Sequence, residues 1–375
     1  MTAKARHLYV HLPFCAHRCG YCDFVTLVGR REQHDGYVEA LLAELELEYD
    51  ALAGRLETVF VGGGTPTFAQ PHALARLLRA LPAADEVTVE ANPETVTPRL
   101  AALLRDVGVT RVSLGAQSFQ SHLLRVLERR ATADDVRRAV YSLRDASFDN
   151  ISLDLIYGIP GQSAADLERD LAGALALEPE HLSCYELEAK PGTRFTHTYG
   201  DELTRQAEAM ESYFERVVAR LTTNGYRWYE TANFCLAAER VNGRDLRSRH
   251  NLAYWRGRDY LGLGIGAVST LGGRRRRNTP QLAQYLTALA DGGRPPREDE
   301  LLDEATRLRE RLMLRLRLDE PVRFADVSAG IDGEALERLV RLRLAAVEPS
   351  AGGDRLLLTS RGRFLGGAVT AELLA

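Results

Sequence analysis

The sequence predicts an α/β protein built on a parallel sheet, followed by a smaller domain. Three observations carry that expectation. Short apolar, β-branched runs alternate with helix-patterned segments six times before about residue 190. Helix starts in that region carry capping residues. Polar and glycine-rich stretches recur at the strand C-terminal ends, where parallel α/β folds bind ligands.

The strands read HLYVHLP (7–13), TVFVGGG (58–64), EVTVEANP (86–93), RVSLGAQS (111–118), NISLDLIYGIP (150–160) and HLSCYELE (181–188). Between them, 37–52, 98–107, 133–146 and 164–177 place apolar residues three and four apart, the helical period. Thr97 before Pro98, Thr132 with Asp135, and Ser163 with Asp166 mark helix starts. Repeated strand–helix–strand units imply parallel strands, because each crossover returns the chain to the same end. The strands read as nearly all apolar, as expected when both faces are covered. Periodicity alone does not choose between an open barrel and a doubly wound sheet.

Composition removes several classes. The 375 residues are 45% hydrophobic and 27% charged, with formal net charge −4, which argues against general nucleic-acid binding. The start, MTAKARHLYV, runs straight into a strand pattern without a signal region, and no stretch is long and apolar enough to span a bilayer. A cytoplasmic location is expected. Five cysteines, three of them clustered, do not make a secreted disulfide framework; in a reducing compartment the cluster reads as metal-binding or catalytic.

That cluster is HLPFCAHRCGYCDF (11–24), with Cys15, Cys19 and Cys22 spaced C-x3-C-x2-C. A closed zinc site wants four ligands, usually from two C-x2-C pairs, and there is no second pair. A redox pair uses two thiols and leaves the third idle. An iron–sulfur cluster held by three thiolates leaves one iron open to a small molecule. Cys184 and Cys235 have no spacing partners and read as buried small hydrophobes. Gly62, Gly63, Gly64 and Thr65 end the second strand, Glu90 and Asn92 the third, Gln117 the fourth, and Asp154 lies late in the fifth. Each alone reads as a turn or cap residue; together they should converge on one rim.

The loop followed by GGGTP (62–66) resembles the radical S-adenosylmethionine (SAM) superfamily. With YVHLPFCAHRCGYCDF, EANPET, GAQSFQ, LDLIYGIPGQ and HNLAYW, it looks like the coproporphyrinogen dehydrogenase-like group, and the resemblance covers nearly the whole chain. It implies a partial (β/α)6 TIM-like barrel and a [4Fe–4S] cluster on Cys15, Cys19 and Cys22. It also implies SAM bound with help from Tyr9, Tyr21, Gly63, Gly64, Thr65, Glu90, Gln117, Arg129 and Asp154. Glycines there suit close backbone approach. The oxidative decarboxylases of the group carry a further cysteine where this chain has Phe24, and a longer N-terminal extension. Both departures point to the heme chaperone branch, with Phe24 supplying packing where a thiol would stand. The implied function is heme carriage to an acceptor hemoprotein, set against coproporphyrinogen III oxidation as the alternative; whether SAM is cleaved stays open.

In SRHNLAYW (248–255), a helix would put His250 and Tyr254 on one face. His250 is the only histidine after His197, and the resemblance links this motif to heme binding; Val268 stands where relatives often have a second histidine. The run GLGIGAVSTLGG lacks the βαβ context of a dinucleotide site and reads as close backbone packing. RRRR (274–277) reads as a solvated loop, or as a means of peripheral docking on a membrane surface by charge. A homodimer is a further expected partner state. GGRPPRED (292–299) reads as a linker, 301–317 as a helix, and the remainder as an α+β winged-helix-like unit. The expected organisation is therefore a barrel over 1–225, a connecting segment over 226–295 and a C-terminal domain over 296–375.

Overall fold

The computed structural model describes residues 4–190 and 194–374. The chain forms two compact units, Met1–Tyr213 with Asp259–Glu300, and Phe214–Arg258 with Leu301–Ala375. The segment expected as a connector is thus divided, its first part in one unit and its second in the other.

In the first unit, β1 (His7–Leu12), β2 (Leu56–Gly63), β3 (Ala84–Ala91), β4 (Arg111–Gln117), β5 (Ile151–Tyr157) and β6 (His181–Glu186) pair in parallel in chain order. This is a partial (β/α)6 barrel. A further strand, Leu261–Leu263, lies parallel to β1 on its outer edge. Helices α1 (His34–Glu48), α2 (Pro71–Ala80), α3 (Pro98–Asp106), α4 (Ala133–Asp145) and α5 (Ala164–Leu175) make the crossovers. The cap expectations hold. Thr97 accepts from the Leu100 amide, and Thr132–Asp135 and Ser163–Asp166 form reciprocal capping boxes.

The strands are not apolar on both faces. Leu8, Val10, Val59, Val61, Val89, Val112, Leu114, Leu153, Leu155 and Leu182 are buried on one face. The other face carries His7, Thr58, Thr88, Arg111, Ser113, Ser152, His181 and Ser183, also buried. Pairing places His7 opposite Thr58, Thr88 opposite Arg111, and Ser152 opposite both Ser113 and His181, so these side chains share a face. Buried polar groups persist when hydrogen-bonded. His7 Nδ1 meets Thr58 Oγ1 at 3.0 Å, and His181 Nδ1 meets Ser152 Oγ at 2.8 Å.

Residues 259–300 are fastened to α1 through a buried carboxylate. Glu44, fully buried, accepts from the Gly264 amide (2.8 Å), Asn278 Nδ2 (2.7 Å), the Tyr285 hydroxyl (2.8 Å) and Arg297 Nη2 (3.0 Å). Arg297 Nη1 also reaches Glu48 at 2.8 Å. The glycine run packs closely, as read: a Cβ on Gly262 would lie 2.2 Å from the Val268 carbonyl oxygen.

Two expectations fail here. The arginine run is a strand, Arg274–Asn278, paired with Val268–Leu271 and flanked by Arg297–Leu301, so it is no solvated loop and the following segment is no simple linker. Arg274 and Arg276 pair with Asp299, and Arg275 with Glu300. Alternating charge across adjacent strands explains the pairing better than repulsion in a loop.

The second unit contains an antiparallel hairpin, Tyr226–Glu230 with Asn233–Leu236, and the helix Arg249–Trp255, capped by Ser248. Its C-terminal part is winged-helix-like. Helices Glu304–Arg315, Gly333–Arg341 and Gly366–Leu373 pack with an antiparallel sheet of Val322–Arg323, Arg355–Leu358 and Ala345–Glu348. Leu312, Leu339, Leu356 and Leu373 form its core. Among the described residues no helix is long and apolar enough to cross a membrane.

Candidate functional site

The C-terminal ends of β2 to β6 and the cysteine loop enclose a cavity of about 520 Å³, a size suited to a small-molecule cofactor. Cys15, Cys19, Tyr21, Cys22, Gly63, Gly64, Thr65, Glu90, Gln117, Arg129 and Asp154 all line it. Tyr9 does not. It lies on the same sheet face, stacked on Phe60 with its hydroxyl 3.0 Å from His11 Nδ1. His250 belongs to the second unit, where it is 1% exposed and its Nε2 meets the Tyr254 hydroxyl at 3.0 Å. The helical pairing of His250 with Tyr254 is as read, and it turns the imidazole inward.

The cysteine loop is held by β1. Its His11 donates from Nε2 to the Val25 carbonyl at 2.8 Å and accepts at Nδ1 from the Tyr9 hydroxyl. A short parallel ladder joins Phe14–Cys15 to Leu27–Val28 and closes the loop base.

The thiols are set among donors. The Thr65 hydroxyl donates to Cys15 Sγ at 3.4 Å, Asn92 Nδ2 donates to Thr65 Oγ1 at 3.0 Å, and Arg129 Nη2 donates to Asn92 Oδ1 at 2.8 Å. Arg129 also reaches the Gly115 carbonyl at 2.6 Å and Cys19 Sγ at 3.6 Å. One guanidinium thereby ties two cysteines to β3 and β4. Asn92 was visible as a strand-end residue, but its role as the middle link was not, because that role depends on a contact 37 residues away.

Burial pushes the Cys15 thiol up to about 11, opposed by the Thr65 hydroxyl, and burial also raises Cys22. Such thiols stay protonated at neutral pH and release protons to a metal that binds them. Among the described residues, no three histidine, cysteine or carboxylate side chains gather on a single-ion position. A cluster asks for something else, since each thiolate takes a separate iron. Three cysteines in a closed loop, with donors to their sulfurs and no fourth thiol at hand, fit a cluster with one open iron.

The glycines are required by the protein itself. A Cβ on Gly62 would lie 2.7 Å from a Glu90 carboxylate oxygen, and one on Gly64 2.6 Å from the Pro13 backbone. Gly63 has φ +107°, and a Cβ there would strike the His11 ring at 2.4 Å. The Gly63 amide donates to Glu90 Oε2 at 3.0 Å.

Glu90 and Asp154 make one wall of the cavity acidic. Burial lifts Glu90 to about 7, against the pull of the Gly63 amide, with Asp154 raising it further. Asp154 is also raised by burial, opposed by Arg111 and by serine hydroxyls, including Ser113 at 3.2 Å to both oxygens. Two carboxyl groups facing one enclosed space favour a cationic guest. A sulfonium with an amino group is such a guest. Gln117 ends β4 with φ +65°, where the register to β5 shifts, so a bulge aims this strand end at the cavity.

Phe24 overturns its expectation. It is 66% exposed and lines the cavity mouth, so it does not pack in the interior. Cys184 and Cys235 are buried, as read.

Residues 9–172 match the family model of the radical SAM superfamily. The chain is 34% identical to the heme chaperone HemW of Bacillus subtilis (strain 168), over 98% of each chain. It is 36% identical to the heme chaperone HemW of Mycobacterium tuberculosis (strain ATCC 25618 / H37Rv), over 100% of this chain and 96% of that one. Among solved structures it resembles the coproporphyrinogen III oxidase HemN of Escherichia coli, with TM-score 0.80 and 23% identity, covering 99% of this chain and 90% of that one. That likeness speaks to the fold. The cysteine loop, the acidic cavity and the full-length similarity together assign the chain to the radical SAM superfamily and, within it, to the HemW family.

Proposed function

We propose that this protein carries heme and delivers it to an acceptor hemoprotein, with the cavity of the first unit controlling the transfer. The observation that carries this reading is similarity along the whole chain to proteins named heme chaperones, 34% identical over 98% of each chain in one case.

Cys15, Cys19 and Cys22 would hold a [4Fe–4S] cluster and Glu90, Asp154 and Gln117 would face SAM; bound together, the two supply a one-electron donor beside a sulfonium. The chain's own residues do the positioning. Thr65 and Arg129 donate to the sulfurs of Cys15 and Cys19. Glu90, fixed by the Gly63 amide, presents its carboxylate to the cationic end of the guest. Tyr21 packs against Leu123, Leu127, Ile156 and Phe195 and helps close the cavity to water. His250, which the family likeness connects with heme, would ligate iron through Nε2 once the Tyr254 hydroxyl leaves that nitrogen. The free cysteines suit a reducing cytoplasm. With Arg274, Arg275 and Arg276 paired to Asp299 and Glu300, three of the four arginines of the 274–277 run have their charge matched locally, which weighs against membrane docking by charge.

The test is anaerobic cluster reconstitution followed by heme titration, then incubation with coproporphyrinogen III. Uptake of one heme per chain and passage to an apo-hemoprotein, with no porphyrin product, supports the carrier. Turnover of coproporphyrinogen with release of 5′-deoxyadenosine overturns it in favour of the oxidase.

A further inference from the structure

A carrier must take up and release its cargo, so the residue that binds iron has to be reachable. His250 is 1% exposed and engaged by Tyr254. The first unit offers a different imidazole. His17 lies in the cysteine loop, lines the cavity mouth, and has a side chain 34% exposed. Its Nε2 stands 3.9 Å from a Glu128 carboxylate oxygen, beyond hydrogen-bond reach.

Two large aromatic side chains flank the same opening. Phe24 from the cysteine loop is 66% exposed, and Tyr185 from the end of β6 is 41% exposed. They arise from separate segments yet line one cavity. Partly exposed aromatic rings gathered around one opening mark a binding surface better than scattered ones do. The cysteines and the carboxyl pair already account for part of this lining, which leaves its exposed aromatic residues for a large flat guest.

We propose that heme docks on the rim of the cofactor cavity, with His17 as its nitrogen ligand and Phe24 and Tyr185 against its apolar faces. This rests on the heme-carrier reading and names where the cargo sits. Arg18, whose Nη2 also donates to the Cys22 carbonyl, and Lys190, 3.8 Å from Glu188, line the same rim and suit the two propionates. Asp23, Glu186 and Glu188 share that edge, so the rings and the imidazole select the ligand while the cations orient it. A guest on this rim covers the cavity that Cys15, Cys19, Cys22, Glu90 and Asp154 line, which couples its release to what that cavity would hold.

The experiment is hemin titration of the cluster-loaded full chain, followed by the Soret band, for the wild type and for His17→Ala, Phe24→Ser, Tyr185→Ser and His250→Ala. Losing a buried aromatic face costs about tenfold in affinity, and each rim variant is expected to show at least that loss. His17→Ala should also shift the Soret maximum, which lost packing alone would not do. Iron and sulfide content is measured alongside. Should the two loop variants lose their cluster, Tyr185→Ser, on a strand outside the loop, decides. Rim variants with wild-type affinity, alongside loss in His250→Ala, refute the rim site and leave the carrier standing. A wild type that takes up no heme refutes the carrier itself.

Discussion

Glu90→Gln should stabilise the cofactor-free protein at neutral pH while weakening its hold on SAM. Burial raises the Glu90 carboxyl from 4.5 to about 7 in the folded state. A raised carboxyl contributes stability that is fully present below the unfolded value, near 4.5, and is lost as pH rises through about 7. Ionised Glu90 therefore costs the fold at most roughly 3 kcal/mol above pH 8. Glutamine keeps an oxygen for the Gly63 amide and carries no charge. The variant should match the wild type near pH 5 and exceed it by up to about 3 kcal/mol near pH 8. Urea unfolding of the apo protein at a series of pH values measures the difference. Loss of one charge-assisted contact should weaken SAM binding by about tenfold or more. A stability difference that is flat with pH, or a variant less stable at pH 8, would refute the reasoning.

The other predictions concern packing and linkage. Gly63→Ala forces a Cβ toward the His11 ring at a left-handed φ, and should cost about 2–3 kcal/mol or block folding, read by urea midpoint. Asn92→Ala cuts the link from Arg129 to Thr65 and Cys15; iron incorporated on reconstitution should fall while the far-ultraviolet circular dichroism stays unchanged. Arg297→Met strands the fully buried Glu44 without its cation, while Glu48 keeps Arg294 at 2.7 Å, and should destabilise by about 3–5 kcal/mol. Loss below about 1 kcal/mol would mean that the carboxyls are neutral in the fold.

Much of the first unit was legible because its signals are local. The six strand–helix alternations, the caps at Thr97, Thr132 and Ser163, and the cysteine loop all appear where their residues predicted. The rim also converged, since strand ends in a parallel sheet share one side. What escaped depended on distant partners. The polar inner face was missed because Val and Leu on the outer face dominate each strand, and only pairing shows Thr88, Arg111, Ser113 and Ser152 together. The arginine run looked like a loop because its carboxylate partners lie beyond position 298. Phe24 shows the same limit in reverse: an aromatic next to a metal-type loop reads as packing, and only geometry exposes it at an opening. His250 was found by its helical spacing, yet spacing says nothing of which way the helix faces.

The most direct test of the central claim is the electron paramagnetic resonance spectrum of the reduced, reconstituted protein before and after SAM is added. Three thiolates from Cys15, Cys19 and Cys22 with one open iron predict a [4Fe–4S]⁺ signal whose g-values shift on SAM addition. A cluster signal indifferent to SAM, or iron that binds equally well after all three cysteines are replaced by serine, would contradict the account.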